Sequence, residues 1–267
     1  MSRFSRRDVV WALAALPAGA ATSSRHVEAL ARAVKLGGGL PEVAPGGVVV
    51  LKVNTNSGDP APYSTSPTVV AFVAQHYVSR GVRVVVGDRS FWGDPDTKGN
   101  LERNGIAPAA RAVGAEVVAF EPDTVEWTAL DPAKVPHWVP PVRVPSLCFT
   151  ADAVINLACA KTHFITGVTL GLKNALGFVH PDDRRRDGTL RTHHTDRIHW
   201  QYTEVHRALP IAFTIIDGFV ALVAGGPTPG SGVKPVIAYT GVVLAGREAI
   251  ALEEGGRQLL ERHAPVR

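Results

Sequence analysis

The chain has 267 residues, 45% hydrophobic and 19% charged, an ordinary globular balance with enough length to bury a core without staples. Its 28 Lys and Arg against 24 Asp and Glu give a formal charge of +4, part of it on Arg3, Arg6 and Arg7. No basic stripe interleaved with aromatics appears, so a nucleic acid partner is excluded from the expectation. Two cysteines, Cys148 and Cys159, are too few for a four-cysteine iron–sulfur or zinc site in one chain. If the run between them is extended they lie beyond disulfide reach, and both read as small buried hydrophobes.

At the start, Arg3, Arg6 and Arg7 precede a modest apolar run from Val9 to Leu16, then Pro17 and the small-residue tract Ala18-Gly19-Ala20-Ala21. Ser5-Arg6-Arg7-Asp8-Val9-Val10 resembles a twin-arginine export signal, with Trp11 standing where a lysine is often found. The apolar run is shorter than the roughly 20 residues a bilayer span needs, so no stable membrane span is expected. The resemblance implies removal of residues 1–23, the twin-arginine translocase as a partner, and a periplasmic or extracellular location. The other reading is an amphipathic N-terminal helix that stays attached.

Ser24 to Lys35 has helical spacing of apolar residues and ends at Gly37-Gly38-Gly39, so residues 24–44 read as a helix and linker ahead of an α/β domain at 45–267. Val48 to Val53 reads as a buried strand, Asn54 to Ser64 as a polar loop, and Ser66-Pro67 as the cap and first turn of a helix to about Arg80. Val82 to Val86 and Glu116 to Phe120 read as further strands, flanking a helical pattern from Leu101 to Val113 interrupted at Gly105. Proline and tryptophan crowd Glu121 to Pro145, which predicts an irregular or edge excursion. Strand patterns return at Ala153 to Leu157, Ile211 to Ile216 and Val236 to Leu244, with helical patterns at Thr195 to Leu209 and Arg247 to Arg262. The alternation predicts a mostly parallel sheet with helices on both faces, layered in Rossmann-like fashion.

Ligands in such sheets gather beyond the carboxyl ends of the strands. The first strand delivers Lys52, Asn54, Asn56 and Asp59; the second Asp88, Arg89 and Ser90; the fourth Asn156, Lys161 and His163; the fifth Asp217 before Gly218. Lys161, Thr162, His163, Lys173 and Asn174 crowd the text after Leu157, among glycines that permit close backbone approach. Asp88 and Asp217 are the acids of the set, His163 the titrating base, and Lys161 and Lys173 cations suited to an anion, an enolate or a phosphate. Two chemistries are open. His163, Lys161, Asp88 and Asp217 serve as catalytic groups, with Lys52, Asn54, Asn56, Thr162, Lys173, Asn174 and Arg89 binding a small anionic molecule; or His163, Asp88 and Asp217, with His193 and His194, ligate a divalent metal. Lysines beside a cation are repulsive, which weighs against a tight metal cage. The bland alternative is a solvated strand-to-helix loop.

Asp182 to Arg197 carries five arginines and four aspartates and reads as a surface loop; its other reading is a lid whose arginines close over an anionic substrate. His199 and His206, about two helical turns apart, read as a surface stripe. Gly225-Gly226-Pro227-Thr228-Pro229-Gly230 reads as a rigid turn, and neither it nor Gly167 to Gly171 has the spacing of a nucleotide-binding loop, so nucleotide cofactors are disfavoured.

Taken in order, Lys52-Val53-Asn54, Ser66-Pro67-Thr68, Val86-Gly87-Asp88, Val154-Ile155-Asn156, Lys161-Thr162-His163, Gly171-Leu172-Lys173-Asn174, Ile216-Asp217-Gly218 and Gly226-Pro227 resemble the family known as domain of unknown function 362, from about Val48 to Gly246. Some members carry a ferredoxin-like cysteine cluster that this chain lacks, so the resemblance implies no iron–sulfur cluster and leaves other cofactors open. Where the family continues with an aspartate-containing helix, this chain reads Arg247 to Glu254, so Glu253 or Glu254 is the replacement carboxylate or the site is incomplete. A lysine and histidine beside a glycine-rich turn are also similar in style to nickel-cofactor racemases, an analogy only. The functional expectation is an exported enzyme acting on a small anionic substrate or cofactor, with an exported ligand- or metal-binding protein as the alternative.

Overall fold

Uncharged runs rich in Val, Ile and Leu suit strands, and the computed structural model, which describes residues 12–13, 22–91, 96–186, 189–190 and 196–265, folds them into one large mixed sheet. In chain order the strands are β1 (Ala12–Leu13), β2 (Val48–Lys52), β3 (Arg83–Asp88), β4 (Glu116–Ala119), β5 (Trp127–Ala129), β6 (Arg143–Pro145), β7 (Ala153–His163), β8 (Gly167–Thr169), β9 (Arg185–Arg186), β10 (Thr189–Leu190), β11 (Ile211–Ala224) and β12 (Val236–Gly246). The helices are α1 (Thr22–Leu36), α2 (Pro67–Val78), α3 (Thr97–Arg103), α4 (Ile106–Ala112), α5 (Leu147–Thr150), α6 (Gly171–Asn174), α7 (Pro181–Arg184), α8 (Ile198–Ala208) and α9 (Ala249–Arg262).

The sheet runs β1-β12-β11-β7-β2-β3-β4, with β8 added to β7. From β11 to β4 every pairing along this path is parallel, while β12 is antiparallel to β11. Strand order reverses at β2, which has the next strand β3 on one side and the later β7 on the other. Such a switch point leaves a crevice beyond the strand ends, where ligands bind.

Alternation along the strands sorts side chains into two layers. Val49, Leu51 and Val53 join α1, α2 and α4 in one core, whereas Val50 points to the opposite core with Cys148, Leu176, Phe178 and Val205. A third cluster sets Leu252, Leu259 and Leu260 of α9 against Ala158, Ala160 and Ile216. Each fully buried Val or Leu contributes roughly 1.5–3 kcal/mol; apolar burial on this scale can offset a few costly polar groups held inside.

Local signals behave as the residues suggest. Ser66 accepts the N–H of Thr68 as cap of α2, with Pro67 in its first turn, and Gly105 at φ 84° separates α3 from α4. The Pro/Trp-rich stretch becomes the antiparallel pair β5–β6, outside the main sheet.

Three expectations need correction. The strand expected to end at Leu157 continues to His163, because β11 on one side and the hairpin partner β8 on the other keep satisfying its backbone. The strand expected to deliver Asp217 at its exit runs on to Ala224, tied by antiparallel β12, so Asp217 lies mid-strand opposite Cys159 and Val243. The charged stretch after Pro181 does not begin as a surface loop: Asp183 and Arg184 are each 2% exposed, and Asp183 holds the Arg143 guanidinium at 2.7 Å.

Candidate functional site

Lys52 follows Val50 on its face of β2 and is therefore carried into the interior, at 0% exposure. Its ammonium lies 2.6 Å from Asp88 Oδ1, and donates to the carbonyl of Val53 at 2.6 Å and to Asn174 Oδ1 at 3.3 Å. Asp88, closing β3, also accepts the N–H of Thr55 at 2.6 Å and of Arg89 at 2.8 Å. Burial pulls the Lys52 pKa down, and the Asp88 carboxylate resists that fall. The backbone of Gly177 seals the pair so closely that a Cβ there would stand 2.0 Å from Asp88 Oδ1 and 2.5 Å from Lys52 Nζ. Glycine alone permits that approach.

A second layer of bonds ties β2 to β7 and α6. Asn174 Oδ1 accepts from Asn54 Nδ2 at 2.9 Å, and Asn174 Nδ2 donates to Asn156 Oδ1 at 2.8 Å; Asn156 in turn donates to the carbonyl of Gly171 at 2.8 Å. Asn54 Oδ1 accepts from Lys161 Nζ at 2.8 Å, and Lys161 also donates to the carbonyl of Tyr63. Lys161 is fully buried, and burial depresses its pKa. Both lysines are thus fixed in place.

Beside this network lies a cavity of about 40 Å³ whose wall includes Lys52, Arg89, Lys161, Lys173 and Arg184, with Asp88 as its one carboxylate among the described residues. One water needs about 10–15 Å³ on the same measure, so the space admits a group of a few heavy atoms. Among the described residues, two polar atoms on the wall are buried and unpartnered, Thr169 Oγ1 and Arg184 Nη2. Arg184 is anchored through Nε to the carbonyl of Val179 at 3.1 Å; burial, then the neighbouring Arg89, lower its pKa to about 9. Lys173 forms no hydrogen bond or ion pair with the described residues. Burial, followed by Lys161 and Arg184, brings its pKa down to about 7 against the pull of Glu253. Glu253 itself accepts the N–H of Leu172 at 2.9 Å and is pushed up to about 7 by burial, while Glu254 is exposed and bonded to Gln258 at 2.9 Å. Of the two candidate replacement carboxylates, Glu253 is the one near the site.

Lys52, Asn54, Asn56, Asp88, Arg89, Lys161, Lys173 and Asn174 all line the cavity. Arg89 does so while its Nε lies 2.9 Å from Glu121 and its Nη1 donates to Thr97 at 3.0 Å. Thr162 stands behind the wall, its hydroxyl accepting the N–H of Gly226 at 3.1 Å. His163 and Asp217 are elsewhere. His163 Nδ1 accepts the N–H of Ile165 at 3.1 Å and stacks on Phe164, closing the turn between β7 and β8. Asp217 pairs with His26 of α1 at 3.0 Å and accepts the N–H of Phe219 at 3.1 Å, while the His26 ring stacks on Phe219 at 4.4 Å.

As metal ligands, Asp88, His163 and Asp217 are therefore dispersed, and no group of three or more His, Cys, Asp or Glu that could hold a metal ion occurs among the described residues. His193 and His194 lie outside the described residues. His206 is not part of a surface stripe: it is 8% exposed, and burial lowers its pKa to about 4. Sequence reasoning noticed Arg184 only among the arginines of a charged run and Thr169 only within a polar cluster, and gave neither a role of its own. Arg184 is masked by its charged neighbours, and Thr169 carries no signal beyond a small polar residue before α6.

The family model described as Domain of unknown function (DUF362) matches residues 49–255. A curated relative named "Thylakoid-associated protein", from Synechocystis sp., is 30% identical over 197 residues, which cover 73% of this chain and 59% of that protein. The chain thus spans less than two thirds of that relative's length. Among solved structures, the lactate racemase apoprotein from Thermoanaerobacterium thermosaccharolyticum matches with a TM-score of 0.52 at 12% identity, over 87% of this chain and 54% of that one. That likeness is one of fold.

Proposed function

The chain belongs to the family described as Domain of unknown function (DUF362), and from that premise we propose that it is an enzyme acting on a small anionic compound held in the cavity between β2, β7 and α6. The supporting observation is the wall itself: among the described residues, five basic side chains face one carboxylate, and a guanidinium nitrogen and a hydroxyl on that wall lack partners. Buried donors without acceptors cost about 1–3 kcal/mol each, a cost that carboxylate or phosphate oxygens would remove. In a site shielded from water, fixed cations also stabilise negative charge far better than solvated ones do. The Asn54–Asn174–Asn156 bonds hold Lys52 and Lys161 in place before any ligand arrives, so little reorganisation is needed on binding.

Calorimetric titration with inorganic phosphate, sulfate and small carboxylates, beside neutral analogues, tests this. Anions bind and neutral analogues do not, and Arg184→Met weakens binding at least about tenfold, roughly 1.4 kcal/mol. A folded wild-type protein with no affinity for any of these anions removes the proposal. Mass spectrometry of a ligand retained through purification, before and after incubation, separates turnover from mere binding.

The same reading places the protein outside the cytoplasm by the twin-arginine route, supported by Ser5-Arg6-Arg7-Asp8-Val9-Val10. No helix among the described residues is long and apolar enough to cross a membrane. Lysine at both Arg6 and Arg7 is expected to retain the protein in the cytoplasmic fraction; an unchanged distribution rejects that route.

A further inference from the structure

We propose that Lys173 is the nucleophile of this cavity and condenses with the carbonyl carbon of a small oxo acid to form an imine; this rests on the anion-site reading above.

Three lysines line the cavity, and two of them are committed. Lys52 is held by Asp88, Asn174 and the carbonyl of Val53, and Lys161 by Asn54 and the carbonyl of Tyr63. Lys173 lies on the same wall, 8% exposed, with no hydrogen bond or ion pair to the described residues. Charged groups on three elements act on its amine: Lys161 of β7, Arg184 of α7 and Glu253 of α9. Two cations and a desolvated setting disfavour a third cation, and Glu253 alone opposes them. The pKa of about 7 expresses that balance.

An ammonium has no lone pair to offer, whereas a desolvated lysine beside other cations is kept neutral and reactive. The rest of the wall selects the electrophile. Arg184 Nη2 and Thr169 Oγ1 are buried, unpartnered donors that a carboxylate would satisfy. The cavity, at about 40 Å³, admits only a few heavy atoms. A carbonyl adjacent to a carboxylate meets both requirements and puts the electrophilic carbon near the amine while the acid group occupies the cationic seat.

The step balances without redox. The Nζ lone pair adds to the carbonyl carbon, the carbonyl π electrons move to oxygen, and a proton shift gives the carbinolamine. Loss of hydroxyl oxygen with both former amine hydrogens releases one water and leaves a carbon–nitrogen double bond. That imine draws electrons from the neighbouring carbon, which is the use such adducts have in catalysis.

The full chain is incubated with pyruvate or glyoxylate, reduced with borohydride, and digested for peptide mass mapping. Exposed Lys35, Lys98, Lys134 and Lys234 are internal references. At pH 7 the reduced adduct accumulates on Lys173 roughly tenfold or more faster than on those four. Its rate rises with pH through a midpoint near 7, inorganic phosphate slows it, and Lys173→Arg, checked for fold by its melting transition, forms none. Labelling of Lys173 no faster than of the exposed lysines overturns the imine; if phosphate still binds by calorimetry, the anion site stands without it. If phosphate fails to bind as well, both fall together.

Discussion

Two buried acid–base pairs in this protein have similar chemistry and different surroundings. Lys52–Asp88 joins β2 to β3 at 2.6 Å and forms part of a cavity wall; His26–Asp217 joins α1 to β11 at 3.0 Å and is capped by the Phe219 ring. Each carboxylate also accepts nearby backbone N–H groups. What distinguishes them is the neighbourhood: beside Lys52–Asp88 stand further cations and unpartnered donors facing open space, whereas His26–Asp217 is filled in by an aromatic ring. A buried charge pair by itself marks architecture. Unsatisfied valences at a cavity mark a place for a ligand.

The contrast is sharpened by removing the acids one at a time. Asp88→Ala leaves the Lys52 ammonium buried without its counter-charge and is expected to cost about 3–5 kcal/mol in denaturant unfolding and to abolish anion binding. The double variant Lys52→Met with Asp88→Asn should cost less than that single change, since no lone charge remains. If Asp88→Ala is well tolerated, the pair is not the anchor of the site.

Glu253 tests a third kind of acid, half-buried and bonded to a backbone N–H at the start of α6. Its folded pKa, near 7, lies above the ordinary value of 4.5, so between those pH values the folded state holds more protons than the unfolded one, and stability falls as pH rises. Lys173, near 7 against 10.5, acts in the adjoining window: there the unfolded chain holds more protons, and stability recovers as pH rises from 7 to 10.5. Glu253→Gln should flatten the lower limb by roughly 2–3 kcal/mol, and Lys173→Met the upper limb. Melting curves from pH 4 to 10 that keep both limbs in the variants would show that these groups do not titrate there.

Asp217→Asn keeps acceptor capacity toward His26 and Phe219 and should cost about 1–2 kcal/mol with phosphate affinity unchanged. A loss of affinity would mean that the two regions are coupled and that the distinction drawn between them is false. Thr169→Val is the smallest change: removing an unpartnered hydroxyl should leave stability of the free protein level or slightly raised, while phosphate affinity drops a few fold.

Much of the architecture was legible in the text. The β-branched runs, the Ser66-Pro67 start of α2 and the break at Gly105 are short-range features set by propensity and caps, and they reappear in the structure. Six of the residues chosen from strand exits, Lys52, Asn54, Asn56, Asp88, Arg89 and Lys161, do meet at one cavity, because the parallel order about β2 brings those exits together. His163 and Asp217 were chosen by the same rule and do not reach it: β7 and β11 run on past Leu157 and Ile216, where the strands were expected to end, since pairing with β8 and β12 continues to satisfy their backbones. Strand length there is set by partners, and partners are not written locally.

Composition and pattern by themselves determined the α/β class and the layered sheet, while the family was legible through the resemblance of its ordered short motifs. Only the tertiary structure decided which charges are left without company: that Lys52 meets Asp88, that Arg184 turns inward from a run of charged residues, and that Lys173 stands beside two cations with no hydrogen-bond or ion-pair partner among the described residues. Hydrophobic period is a property of neighbouring residues along the chain, whereas desolvation and pairing depend on groups brought together from more than a hundred residues apart, as Lys52 and Asn174 are.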